Sequence, residues 1–131
     1  FPYTTLFRSA YRGLTCGAIG CFGYAFATEG WMLYGWMAVW VLMGLVGPSL
    51  NAIMSKEVGP SEQGELQGAL ASLGGLTSVA APPILSNLFG YFTSNAAPVY
   101  FPGAAFFAAA VFTLLAALLL ATTHRAQSAA A

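Results

Sequence analysis

Two stretches of the chain carry no Asp, Glu, Lys or Arg: Gly30 to Ser55 and Leu66 to Thr123. Apolar residues dominate both, without the every-second-residue alternation of a membrane β-barrel strand. A mostly apolar run of about 18 residues or more reads as a transmembrane helix. The second stretch is far too long for one crossing, so it must turn back. The turn is "TSNAAPVYFPG", Thr93 to Gly103, rich in Asn, Ser, Pro and Gly. A shorter apolar run precedes Gly30. The pattern predicts an all-α integral membrane protein with four spans, at about 13–28, 31–54, 65–91 and 104–121, within a segment 10–122. The tail 123–131 is polar or small and is expected to be disordered.

Within the spans, glycines and prolines mark the places where helices bend or approach each other. The first span holds Gly13, Gly17, Gly20 and Gly23. Small residues four apart allow close helix contact. It offers only 16 residues between Arg12 and Glu29, or about 24 Å of helix against a bilayer core of about 30 Å. The second span opens on Trp31, Tyr34 and Trp36, an aromatic belt at a membrane surface, and Pro48 should kink it. The third contains Pro82 and Pro83 and is expected to be bent or broken. The fourth is plain Ala and Leu.

Composition agrees. The 131 residues are 58% hydrophobic and 6% charged, whereas soluble domains are about 25% charged. The formal net charge is zero, which offers nothing to a nucleic acid. Cys16 and Cys21 lie five apart on one helix, too poorly placed for an internal disulfide and without further ligands for a metal. They read as buried and inert. The single His, His124, lies in the tail, and no carboxylate lies mid-span. The chain therefore offers no catalytic group, metal set or cofactor motif, and an intramembrane enzyme is a poor reading.

Half of the charged residues, Lys56, Glu57, Glu62 and Glu65, gather in "NAIMSKEVGPSEQGELQG", Asn51 to Gly68. Gly59-Pro60 stops an incoming helix, Ser61 is placed to cap the next, and Glu62 and Glu65 suit the positive end of its dipole. Arg12, Lys56 and Arg125 fall on one side of a four-span topology. The positive-inside rule makes that side cytoplasmic, with both ends of the segment there. Two stripes at helical spacing flank the loop. Gly44, Gly47, Pro48, Asn51 and Ser55 form one; Gly64, Gly68, Ala71, Ser72, Gly75, Ser78, Pro82 and Ser86 form the other. Such faces either pack helices closely or line a water-filled path. Asn51, Glu65, Gln67, Ser72 and Ser78 are the pathway or gate candidates, because polar groups at that depth need a partner or water. Gly47, Pro48, Gly68, Gly75, Pro82 and Pro83 are the kink or packing candidates. Asn51 and Gln67 should matter more than Ser86 or Thr113.

"FPYTTLFRS", Phe1 to Ser9, is identical to the in-frame translation of a common sequencing-library adapter. It has the build of neither a signal nor a transit peptide. These nine residues are expected not to be native, and the natural sequence to begin at Ala10 in mid-protein.

The run from "GPSLNAIMSKEVGPSEQGELQGALASL" through "GGLTSVAAPPILSNLFGYF" and on to "PVYFPGAAFFAAAVFTLLAALLLA" resembles the C-terminal part of tetracycline-resistance-type drug:proton antiporters of the major facilitator superfamily. The most specific portion is "EQGELQGALASL"; Ala81-Pro82-Pro83 stands where relatives commonly have Gly-Pro. The resemblance covers nearly everything from Ala10 to Ala121. It implies helices nine to twelve of a twelve-helix fold in a bacterial inner membrane. It also implies a lipid bilayer, the missing N-terminal helices, a small-molecule drug (possibly as a divalent-cation chelate) and protons as partners. The mechanism would be alternating access, with this fragment inactive alone. The alternatives are a major facilitator transporter for another substrate and a small structural or assembly membrane protein.

Overall fold

The computed structural model describes residues 2–130, and among them every regular element is helical. Helix α1 runs Pro2–Phe26, α2 Gly30–Trp40, α3 Val46–Glu57, α4 Gln63–Thr93 and α5 Ala104–Ala130. A five-residue 3-10 segment, Val41–Leu45, joins α2 to α3 without a break, and a 3-10 turn, Pro60–Glu62, leads into α4. Three segments are long and apolar enough to cross a membrane: Gly30–Glu57, Pro60–Thr93 and Ala104–Ala126. Helix α1 is not among them, since Arg8 and Arg12 and several hydroxyl residues occupy its first half.

Helix α1 is nevertheless the centre of the packing. It lies against α5 on one side and against α2, the 3-10 segment and α3 on the other. Its buried residues, Phe7, Ala10, Leu14, Ala18, Cys21 and Ala25, recur at steps of three and four, the spacing of one helical face. Leu14, Val46 and Ala117 meet in a small core edged by Met43, Leu50 and Leu120. Beside that face the glycines of α1 admit their neighbours. A Cβ on Gly13 would meet the Val46 side chain, on Gly17 Met43, on Gly20 Trp40 and on Gly23 Trp36. The glycine spacing of the first span is thus the groove in which the second span sits.

The two ends of the bundle differ in chemistry. At one end Phe7 meets His124 edge-on with centroids 4.7 Å apart, the Lys56 ammonium lies over the Tyr3 ring, and the Tyr3 hydroxyl donates to Glu57. This end gathers the start of α1, the α3–α4 turn and the final turns of α5. At the other end Phe22, Phe26, Phe101 and Phe107 form an aromatic cluster, and Gly103 presses so closely on Ala25 that a Cβ there would meet its backbone carbonyl. Helix α4 packs only lightly, on α5 and α3, and has no buried residue.

Three expectations are corrected. Helix α4 is not broken at Pro82 and Pro83 but runs through both; proline is tolerated within membrane helices. The stretch after Ala121 is helical to Ala130 rather than disordered. Alanine is the best helix former, and the Thr122 and Thr123 hydroxyls both donate to the Leu119 carbonyl, keeping their polarity within the helix. Helix α1 also includes Pro2–Ser9, the residues read as foreign. Phe1 and Ala131 lie outside the described residues. Ser61, expected as the cap of α4, instead sits inside the 3-10 turn. Pro60 takes the first position of that turn, so Gly59 becomes its cap residue.

Candidate functional site

The α3–α4 turn is built by short-range hydrogen bonds. The Glu62 carboxylate accepts from the Gly59 N–H at 3.1 Å, and the Glu62 N–H donates to the Gly59 carbonyl at 3.0 Å. This is the reaching-back half of a capping box. With the turn set, Gln63 faces the end of α3. Its Nε2 donates to the Ser55 carbonyl at 2.7 Å and to the Val58 carbonyl at 3.4 Å, satisfying acceptors that the end of a helix leaves open.

One turn further along α4, Gln67 Nε2 donates to Asn51 Oδ1 at 2.9 Å. The Ser55 hydroxyl donates to the same oxygen at 3.3 Å. Asn51, Ser55, Gln63 and Gln67 therefore form one polar bridge between α3 and α4, beside the charged turn. Two amides named from the sequence as separate candidates are each other's partner. Gln63 was missed as a site residue, although a glutamine four residues before Gln67 shares its face.

The other candidates do not join the bridge. Glu65 is exposed on α4 and makes no part of it. The Ser72 and Ser78 hydroxyls donate to the carbonyls of Gly68 and Gly74, each at 2.8 Å, so their protons are used within α4. A Cβ on Gly47, Gly68 or Gly75 would meet nothing within 4 Å. Pro48 is the third residue of α3, just beyond the 3-10 segment. Pro82 and Pro83 lie in the continuous α4.

A cavity of about 680 Å³ opens between α1, α2, α4 and α5 toward the aromatic end. Tyr24, Trp40, Ser86 and Phe106 are among its lining residues. Ser86, which sequence reasoning places outside the site, thus lines this apolar hollow. Its position was invisible because the hollow is made by residues from four helices.

Long apolar helices, a polar bridge at one end and an apolar hollow toward the other define a multi-helix membrane protein. Comparison with known proteins narrows that class. Over 82 residues, 63% of the chain, it is 37% identical to the tetracycline resistance protein, class C, of Escherichia coli, covering 21% of that protein. It is 37% identical over 75 residues to the class G protein of Vibrio anguillarum, covering 57% of the chain and 19% of the relative. With the class B protein of Escherichia coli it shares 31% over 67 residues, 51% of the chain and 17% of the relative. The chain thus spans about a fifth of the length of the curated relatives it matches. The resemblance expected from the loop and helix start is shown: the chain is similar to the tetracycline resistance proteins over half of its length or more. No family model matches the chain, and no solved structure matches it significantly.

Proposed function

We propose that residues 10–131 are the C-terminal part of a membrane efflux transporter of the tetracycline type, which exports drug against inward proton flow by alternating access. The similarity to several tetracycline resistance proteins carries this reading. Four crossings of a twelve-helix major facilitator fold accommodate the chain, with α1 as the first. Supporting this is its position: α1 lies packed between α5 and the α2–α3 rod, both apolar enough to span. Phe1–Ser9 is read as adapter-derived sequence, so the native upstream residues of α1 differ. The partners are the lipid bilayer, the remaining helices, protons and a small-molecule drug, possibly chelated to a divalent cation. The setting is a bacterial inner membrane.

The Asn51–Gln67 bridge suits a gate element. It ties two helices at one end through amides, whose hydrogen bonds exchange for water at low net cost. Proton coupling requires a group that changes charge within the membrane, and the charge-free runs hold no carboxylate or histidine. The coupling acids are therefore assigned to other parts of the transporter, and this chain alone neither binds drug tightly nor moves protons.

Recovery of the upstream coding sequence tests the reading. It should encode about eight further membrane helices, and the whole gene should lower tetracycline accumulation in cells while residues 10–131 alone do not. An upstream frame without membrane helices overturns it. Topology is tested separately with single cysteines at Ser61 and Asn95 in a cysteine-free background. An impermeant thiol reagent should label Asn95→Cys and spare Ser61→Cys in intact cells; the reverse places the α3–α4 turn outside.

A further inference from the structure

The structure gathers most of the chain's positive charge around one hollow that the transport reading does not use. Between α1 and α5, at the end shared with the α3–α4 turn, lies a cavity of about 520 Å³. Arg8, Arg12, His124 and Arg125 line it, together with Tyr11 and an apolar floor that includes Leu120 and Ala121. All three arginines of the chain are there. Of the acids at that end, Glu62 holds the Gly59 N–H, and Glu57 accepts from the Tyr3 hydroxyl, which belongs to the segment read as foreign. Among the described residues no carboxylate pairs with Arg12 or Arg125.

The depth of the hollow matters as much as its charge. From Ala104 to Ala121 α5 rises about 27 Å, close to the thickness of the hydrocarbon core, about 30 Å. With the fourth span taken as 104–121, Leu120 and Ala121 lie near the hydrocarbon boundary, and Arg125 about 6 Å beyond, among headgroups. On α1, running the other way, Gly13 begins the apolar stretch and Arg12 lies just outside it. The hollow thus places an apolar floor at acyl-chain depth and guanidinium groups at phosphate depth, with a tyrosine at the rim. A guanidinium presents a planar fork that matches two phosphate oxygens. A basic pocket between membrane helices is the arrangement that holds an anionic headgroup.

We propose that the α1–α5 hollow is a binding site for an anionic phospholipid, with Arg12 and Arg125 clamping its phosphate and an acyl chain lying over Leu120 and Ala121. The proposal rests on the membrane reading, and it does not depend on what the transporter carries. Arg8 adds charge in this chain, but Arg12 and Arg125 are the required pair because they lie nearest the boundary on the two facing helices.

The test uses the full chain purified in a neutral detergent, with retained lipid counted by native mass spectrometry. Phosphatidylglycerol and phosphatidylcholine with identical acyl chains compete at equal concentration in low salt. Phosphatidylglycerol should be retained preferentially. Arg12 and Arg125 should each contribute about fivefold, the ratio expected for about 1 kcal/mol per cation at an anionic surface. The variant R12A/R125A should fall to parity between the two lipids while keeping its helical circular dichroism, and R12K/R125K should keep part of the preference. Arg8→Ala should keep most of it. Inorganic phosphate should not displace the lipid, because it has no chain to occupy the floor. Equal retention of both lipids by the parent chain overturns the site while leaving the membrane reading intact. So does loss of preference in Arg8→Ala alone, displacement by inorganic phosphate, or an unchanged preference in R12A/R125A.

Discussion

Helices α1 and α4 are both rich in glycine, yet the glycines meet opposite surroundings. On α1, Gly13, Gly17, Gly20 and Gly23 each admit a side chain of the α2–α3 rod, at Val46, Met43, Trp40 and Trp36 in turn. On α4, Gly64, Gly68, Gly74, Gly75 and Gly90 face open space to beyond 4 Å. The same residue type therefore performs two tasks. In α1 it removes bulk so that a known neighbour fits. In α4 it leaves a face that meets nothing within 4 Å, and the helix is tied to α3 by the amide bridge instead. Van der Waals packing drives helix association in lipid, where apolar surfaces gain nothing from water. The α1 contacts supply such packing; α4, with Leu73, Leu76, Val79 and Ile84 all exposed, does not.

Substitutions at these positions would break or sharpen the contrast. The largest effects belong where the obstacle cannot move. Gly103→Ala would drive a Cβ into the Ala25 carbonyl, and Gly23→Ala into the Trp36 ring. Each should cost about 2–3 kcal/mol, as overpacking does, read as loss of helical signal at lower temperature or denaturant in micelles. Unchanged unfolding for both would mean that the α1 groove is not held in this form. Next comes the bridge. Asn51→Ala and Gln67→Ala should each cost about 1 kcal/mol, and the double variant should cost less than the sum. Strict additivity would show that the amides do not pair. Gly17→Ala should be milder, below about 1 kcal/mol, because its obstacle is the flexible Met43 side chain. Last, Gly75→Ala should leave this chain unharmed or stabilise it by up to about 1 kcal/mol through helix propensity. In the complete transporter the same change should impair drug export if the α4 face is a packing surface, and neutrality in both settings would make that face lipid-exposed.

How much of this could be read from the sequence depends on how far apart the cooperating residues lie. The apolar runs and their turns are local, and they placed the helices. The glycine spacing of α1 was visible, but what fills it was not, since Trp36 to Val46 approach from the next element with a register set by tertiary packing. Asn51 and Gln67 stood out because amides are costly in apolar runs. Their pairing was hidden, because it depends on the path of Val58–Glu62 between them. The final turns of α5 were misread because Thr122 and Thr123 look like tail residues; their hydroxyls are in fact folded back onto the Leu119 carbonyl.

The 3-10 segment Val41–Leu45 sets the rotational phase of the whole α2–α3 rod. A 3-10 helix returns to the same azimuth every three residues, whereas an α-helix needs about 3.6. Trp40, Met43 and Val46, three apart, therefore stack in a straight file along the α1 groove rather than winding away from it. Were Val41–Leu45 to relax to α-geometry, α3 would turn relative to α2 by about 100°, at about 20° per residue. That rotation would carry Asn51 out of reach of Gln67 while Trp36 stayed seated against Gly23. A change of winding in this segment would therefore rotate α3, and Asn51 with it, relative to α4. Cysteines at positions 51 and 67 should cross-link readily when the segment is wound as 3-10 and poorly when it is not; cross-linking at equal rates with a helix-favouring Met43→Ala or Gly44→Ala replacement would show that the winding does not set the place of residue 51.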